Sequence, residues 1–393
     1  MIIHTGSTRS DQVLQAGLVI DMEEQLTWLD ESTYLFEALS RRMRGGTITA
    51  TRMEHKFRER RLMPAVVTTT AVASASATTI SVDQPTYFHR DELIYCPATD
   101  EAFLMNEDVG GTGDAAKIAV VNKSGSGGIT TEIPSGSILI NLGECHAEGE
   151  DIPPAFNGID EEVSTYLSQH DRTNKTTDIQ NAEEHYGVKE IVKKRKQFWV
   201  EYGRARNLML YGGKQFREVT TAGGPRRHGM RGLIEWLASR AIDANAVPGG
   251  VTMKTLGLFV RPTKQHTSSS PTKVAICGQN AWSTISDFPD GTVQINPGKM
   301  QNWGVTLKEL NTPFGDILVG YDPTLSDEYG LADRMFILDP KYVGQLEMQG
   351  LPLRMRLNIG NSTDIHNITD AITGTRGLQV KLPELHVYIY GIG

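Results

Sequence analysis

Cysteine is scarce: Cys96, Cys145 and Cys277 are an odd count among 393 residues, with no metal-ligand spacing between them. A disulfide framework and a zinc cluster are both excluded as readings, and the pattern fits a reducing compartment. No run of about eighteen apolar residues is present to span a bilayer. The opening MIIHTGSTRSDQV lacks the basic cluster and apolar core of a secretory signal. The N-x-S/T matches at Asn122, Asn174, Asn361 and Asn367 therefore mean little. Positive charge is also in deficit, with 39 Lys and Arg against 47 Asp and Glu. A net charge of −8 argues against a protein whose whole surface coats nucleic acid.

Catalytic signatures are missing as well. Gly212-Gly213-Lys214-Gln215 lacks the spaced first glycine and the hydroxyl residue that a phosphate-binding loop needs. The glycines at 110, 111 and 113 neither follow a strand nor open a helix, so they read as a turn. Glu144-Cys145-His146-Ala147-Glu148 brings a thiol and an imidazole together in sequence, but strand neighbours point to opposite faces and would not converge. There is no HEXXH. No catalytic, metal or cofactor-binding residue is expected.

What is present is a long amphipathic segment at 181–213. Val188, Ile191, Phe198, Tyr202, Ala205 and Met209 recur at steps of three, four or seven, the stripe of a 3.6-residue helix. Lys189, Lys193, Lys194, Lys196, Gln197, Arg204, Arg206 and Asn207 occupy the other positions and predict an exposed side. Asn181 with Glu184 forms a capping-box pattern, and Gly212-Gly213 supplies the stop. A helix over 187–212 would be roughly 39 Å long.

Charge is uneven along the chain. Residues 41–61 carry eight Lys and Arg against two Glu, whereas 91–162 carry fifteen Asp and Glu against two Lys. The plain explanation is two solvated faces; the sharper one is complementary patches on neighbouring copies. The length exceeds what one core supports, so at least two domains are expected.

Residues 1–40 read as an arm with too little apolar surface for its own core. Residues 41–65 form a basic extended excursion, with a strand at 47–51 and a mostly exposed stretch over 53–63. Residues 66–155 hold regularly spaced short strands at 71–82, 92–96, 102–105, 117–122 and 137–142, a small barrel or sandwich. A strand at 163–171 leads through RTNKTTDIQ into the helix, which belongs to a domain at 156–225. Residues 214–231 read as a loop. Residues 226–335 are mixed α/β, with helices at 233–242 and 279–288 and strands at 273–277, 304–310, 316–320 and 334–338. Residues 336–393 carry strands at 351–358, 377–382 and 385–390 that return to the sheet beneath the helix. The fold class is α+β.

This order resembles the HK97-like fold of tailed-phage major capsid proteins, and most of all the SU10-type major head proteins. RRMRGGTITATRMEHKFRERRLMP is similar to the segment leading into that family's E-loop. ATTISV, DELIYCPATDEAFLMN and IPSGSILINLGECHAEGEDIPP are similar to its β-module, and STYLSQHDRTNKTTDIQ to the approach to its long helix. The polar approach TNKTTDIQNAEEHYG is longer than the family pattern.

The resemblance implies a non-enzymatic shell subunit that forms hexamers and pentamers of an icosahedral head. Such a head encloses packaged double-stranded DNA without sequence-specific binding. It implies a spine helix at 181–213, an axial domain at 226–335 and an E-loop at 41–65 reaching over a neighbour. A portal protein, a separate scaffolding protein and a decoration protein would be partners, and no membrane is involved. The location would be the virion, after assembly in the bacterial host cytoplasm. Arg52, Arg58, Arg60 and Arg61 are expected to meet carboxylates of a neighbouring copy, Glu107 and Asp108 among the candidates. Ile191, Phe198, Tyr202, Ala205 and Met209 are expected to pack the helix onto its sheet. The alternatives are an encapsulin-like shell, or a β-rich carbohydrate-binding or hydrolytic protein, for which the module's aromatics (Tyr87, Phe88, Tyr95, Phe103) are few.

Overall fold

The computed structural model describes residues 35–43, 46–60, 66–84, 88–107, 117–122, 127–145, 148, 160–179, 190–219, 226–288, 293–294, 307–359 and 367–393. The chain divides into two compact units, one made of 1–57 and 163–393, the other of 58–162.

In chain order the elements open with α1 (Leu35–Arg42), β1 (Thr47–Ala50) and β2 (Glu54–Glu59). Six short strands follow: β3 (Val66–Thr68), β4 (Thr79–Ser81), β5 (Glu92–Cys96), β6 (Glu101–Met105), β7 (Lys117–Asn122) and β8 (Ile138–Glu144). Then come β9 (Glu161–Tyr166), β10 (Ser168–Thr177), the long helix α2 (Glu190–Gly212), β11 (Phe216–Val219) and β12 (Arg226–Gly229). The single turn α3 (Leu233–Trp236), β13 (Ala241–Asp243), α4 (Met253–Val260), β14 (Thr272–Cys277) and α5 (Gln279–Ser286) lead to β15 (Val293–Gln294) and β16 (Lys308–Thr312). The chain finishes with β17 (Gly315–Tyr321), β18 (Met335–Leu338), β19 (Val343–Met348), β20 (Arg354–Arg356), β21 (Asn367–Val380) and β22 (Val387–Tyr390).

The smaller unit is an antiparallel sheet in the order β3-β8-β5-β6-β7-β4. A bridge between Thr69 and Val82, just beyond β3 and β4, joins its two ends, so the sheet closes on itself. Closure removes the free edges that short strands would otherwise expose. Alternate residues Ile80, Ile94, Phe103, Ile118, Val120 and Leu139 fill the interior.

The larger unit holds two main sheets. A seven-stranded sheet runs β13-β22-β18-β14-β17-β16-β15, parallel at β13/β22 and β14/β17 and antiparallel elsewhere. Its central strands KVAIC, ILVG and MFIL are apolar on both sides because both faces are covered. The two-residue period sends Val274, Ile276, Phe336 and Leu338 into one core. Ala275, Cys277, Met335 and Ile337 go into the other, with α4 and α5. The second sheet, β1-β19-β21-β10 with β20 on β21, lies under the first half of α2.

Several sequence expectations are corrected. Residues 35–43 do not belong to an arm: Leu35, Phe36, Leu39 and Met43 are buried in the main core. LFEALSRR is amphipathic, and its apolar side finds the body of its own unit. The stretch 53–63 is not uniformly exposed, since β2 alternates and buries Phe57 and Glu59. The expected loop at 214–231 contains the hairpin β11–β12. The strand leading to the helix continues to Thr177 as β10, ten residues paired with β21, so RTNKTT is strand and not approach. The 233–242 helix is one α-turn followed by a 3-10 turn and a short strand. Of the tail strand expected at 351–358 only Arg354–Arg356 forms, while β19 and α4 were not anticipated. The expected start of the helix at 181–189 lies outside the described residues, as do the turn at 110–113 and the Pro153-Pro154 pair.

Candidate assembly elements

The long helix changes its buried face along its length. In the first half Phe198 and Tyr202 pack on Ile372, Leu353 and Met355 of the sheet below. Arg195 grips Asp370 through two nitrogens, at 2.7 and 3.0 Å, and reaches Asn358 at 2.8 Å. Burial opposes the Asp370 carboxylate, yet the Arg195 bonds hold its pKa below the ordinary value. In the second half Arg206, Asn207, Leu210 and Tyr211 are the buried residues. At about 100° per residue Asn207, Leu210 and Tyr211 lie well round the helix from Phe198 and Tyr202, while Arg206, one turn beyond Tyr202, stays near their side. The rotation happens because α2 passes from lying on a sheet to standing in a core between α1 and the seven-stranded sheet.

That rotation sorts the expected packing residues. Phe198 and Tyr202 are buried, Ile191 and Met209 are half-buried, and Met209 packs against the main core. Ala205 is exposed, contrary to the single stripe. Arg206 and Asn207, expected on the solvent side, are buried among polar partners.

Those partners are Asp322, Glu37 and Gln345. Asp322 follows β17, is closed off from solvent, and accepts from Tyr211 Oη (2.7 Å), Asn207 Nδ2 (3.0 Å), the Phe36 amide (3.2 Å), and the Thr324 amide and hydroxyl (3.0 and 2.7 Å). Asn207 in turn accepts from the Glu37 amide at 3.2 Å. Glu37 lies 3.2 Å from Arg206 and 3.5 Å from Arg376, which also pairs with Glu347 at 2.9 Å. Arg206 donates to Gln345 at 3.1 Å. Burial pulls the Arg206 pKa down to about 10, against the opposing pull of Glu37, and the guanidinium stays charged at neutral pH. These groups fasten α1, α2 and the loop after β17 into one joint. The sequence carried a signal for α1 in its amphipathic spacing; Asp322 had none, because one Asp after a strand looks like any turn residue.

The basic stretch is the second element. Arg52 and Arg58 are exposed and form no ion pair among the described residues. Arg60 is exposed and lies 2.8 Å from Asp160 of the same chain. Arg61 and Asp108 fall outside the described residues. Glu107 is exposed at the end of β6. Within the barrel Glu101 is engaged by Thr130 and Thr131, and Asp91 lies near Arg90. Among the described residues no group of His, Cys, Asp and Glu could hold a metal, and no helix is long and apolar enough to cross a membrane. Cys145 is exposed, Cys96 and Cys277 are buried, and His146 lies outside the described residues.

Comparison with known proteins yields one family. The sequence profile described as SU10 major capsid protein matches residues 7–393. None of the curated proteins matches. Among solved structures, the capsid of Cyanophage P-SCSP1u is 10% identical, with a TM-score of 0.48 over 96% of this chain and 93% of the other. A structure from Microbacterium phage Oxtober96 is 9% identical, with a TM-score of 0.46 over 95% and 96%. The holo-SrpI encapsulin complex of Synechococcus elongatus PCC 7942 is 13% identical, with a TM-score of 0.38 over 60% and 78%.

Proposed function

Because the chain belongs to the SU10 major capsid protein family, a tailed-phage head protein whose copies associate into the virion shell, we propose how its parts serve that shell. The shell is icosahedral, built of hexamers and pentamers, and holds packaged double-stranded DNA without sequence-specific contacts. The chain's role is structural, not catalytic. The observation that carries this reading is the profile match across 7–393, nearly the whole polypeptide.

In this reading α2 is the spine of a peripheral domain and the seven-stranded sheet is the core of the axial domain. Residues 41–65 form the E-loop, 66–155 an inserted module, and 336–393 supply strands to both sheets. The arm shortens to the residues before Leu35, since α1 belongs to the body. Arg52, Arg58 and Arg61 meet carboxylates of a neighbouring copy, Glu107 and Asp108 among them, with Arg60 shared between Asp160 and that neighbour. Arg52 and Arg58, exposed and without an ion pair among the described residues, support this, because association is where such charges gain partners. A portal protein, a scaffolding protein and a decoration protein are the expected partners, and assembly takes place in the host cytoplasm.

The test is electron microscopy of the purified chain, alone and with the neighbouring scaffold gene product. Closed shells of uniform size are the expected result. A chain that stays monomeric under both conditions would overturn the proposal.

A further inference from the structure

The barrel is apolar outside as well as inside. On β3, β8, β5 and β6 the residues alternating with the buried ones are Val66, Ile138, Ile140, Leu93, Tyr95 and Leu104, with one Thr and one Ala between them. None carries a charge. Register sets Val66 opposite Ile140, Ile140 opposite Tyr95 and Leu93 opposite Leu104, so these side chains form one continuous surface. Val66 is 45% and Ile138 51% exposed. Single apolar residues on a surface are ordinary, but an antiparallel sheet facing water alternates them with polar ones, and these four strands do not. At about 4.8 Å between strands the patch covers roughly 300 to 400 Å². That is below the ~800 Å² per partner of a stable free complex, so its occupant is held close by other contacts, as a neighbouring copy in a shell is.

Charge selects the part of that neighbour. Residues 66–144 hold ten Asp and Glu against three Lys and Arg, so two barrels placed face to face would repel. The complement is the β11–β12 hairpin: residues 214–231 hold five Lys and Arg against one Glu, and Lys214, Arg217 and Arg227 are exposed. The two strands pair with each other and with no other strand among the described residues. Phe216 is 49% exposed on this basic hairpin. It stands opposite Gly229, where any Cβ would collide with its ring. Covering the glycine backbone explains where the ring lies but leaves its outer half in water. An exposed aromatic held in place in this way suits an interface anchor. The stretch 52–60 is also basic, but its one aromatic ring, Phe57, is buried, so it brings charge without an anchor.

Resting on the shell reading, we propose that the β11–β12 hairpin of one copy docks on the outer face of the barrel of a neighbouring copy. Phe216 lies against Val66, Ile138 and Ile140, and the cations of the hairpin lie over the acidic margin of the barrel. The contact is separate from the pairing of residues 52–61 and deepens the shell reading by naming a second pair of surfaces. It forms only where many copies are held together, because its area is too small to join two free subunits.

The experiment mixes two full-length chains, both Cys145→Ser so that only the buried Cys96 and Cys277 remain. One carries Ile138→Cys. The other carries Glu218→Cys, two residues from Phe216 and on its side of the strand. The chains are assembled together and oxidised, and the products are mapped by peptide mass. A mixed disulfide between 138 and 218 is expected in assembled particles, at about tenfold the yield found in dilute unassembled subunits. Arg217→Glu/Arg227→Glu in the second chain is expected to lower that yield about fivefold. A disulfide joining 138 to 138 in place of the mixed one assigns the face to another barrel and overturns the proposal. So does the absence of any link both with this pair and with Val66→Cys paired with Glu218→Cys, whose barrel thiol shares the face and guards against a local fold defect. Microscopy of the same samples scores shell formation separately. Particles without the link keep the shell reading and remove this contact; a link without particles does the reverse.

Discussion

The hydroxyl of Tyr211 donates to a carboxylate oxygen of Asp322 at 2.7 Å, with both side chains closed off from water. Four further donors converge on the same carboxylate, from α1, from Asn207 and from Thr324. A buried charge is tolerable only when its lone pairs are filled in this way. The consequence is mechanical: the end of the long helix, the first helix and the loop after β17 move as one body.

Asp322→Ala should therefore cost the unassembled subunit about 3 to 5 kcal/mol, because it leaves Asn207 and Tyr211 with buried unpaired donors. Tyr211→Phe removes one donor and keeps the carboxylate satisfied by the others, so a loss of about 1.5 to 3 kcal/mol is expected. Urea denaturation of both variants checks the ratio. Equal losses would mean that the Tyr211 bond alone, not the convergence of five donors, carries the contribution of the carboxylate.

The two faces of α2 make a second contrast. Phe198→Ala removes a ring packed on Ile372 and should cost about 3 to 5 kcal/mol. Ala205→Ser, at an exposed position predicted as packing by periodicity, should stay within about 0.5 kcal/mol of the parent. Thermal unfolding of the pair decides whether the helix buries one stripe throughout or turns its buried face.

How much of this was readable depended on the range of the interactions. Strands β5 and β7 were placed to the residue, since ELIYC and KIAVVN alternate between punctuating turns and fill a local barrel. The spine helix and the α+β class were legible for the same reason, a strong local period. Arg206 and Asn207 were misread because their burial depends on Glu37, Asp322 and Gln345, residues 115 or more positions away. β10 was cut short because SQHDRTNKTT has almost no apolar residue. It is a strand through its ten-residue register with β21, which single-segment propensity cannot see.

His386 gives the seven-stranded sheet a pH dependence. Its Nδ1 accepts from the Asp339 amide at 3.0 Å and its Nε2 faces the Lys381 carbonyl at 3.1 Å, so the neutral ring with hydrogen on Nε2 satisfies both. Burial pushes its pKa down to about 4, with Lys273 adding to the drop while the Lys381 carbonyl, Asp339 and Glu384 oppose it. An unfolded histidine titrates near 6.5. Between those values the unfolded chain holds a proton that the folded chain refuses, so stability falls as pH drops from about 6.5 to 4, by on the order of 3 kcal/mol in total. Asp339 and Asp370, held below the ordinary carboxylate range, add their own losses at lower pH. His386→Asn keeps an acceptor for the Asp339 amide and should flatten the 6.5 to 4.5 limb of a urea-midpoint profile. An unchanged slope would place the acid sensitivity elsewhere.

The arginines of the basic stretch separate subunit stability from assembly. Arg60 already has Asp160 within its own chain, whereas Arg52 and Arg58 have no ion partner among the described residues. Each exposed pair contributes under about 1 kcal/mol, so only a grouped change is a fair test. Reversing Arg52, Arg58, Arg60 and Arg61 together to Glu should leave the unassembled subunit's unfolding within about 1 kcal/mol of the parent. It should lower the yield and heat resistance of assembled heads, because four like charges would now face the acidic module of a neighbour. Asp160→Asn serves as the control, since it frees Arg60 without reversing any charge on the loop and should leave head yield near the parent value. Heads of normal yield and melting temperature from the fourfold variant would show that this stretch does not pair across subunits, and the excess of carboxylates in 91–162 would then be no more than a solvated face.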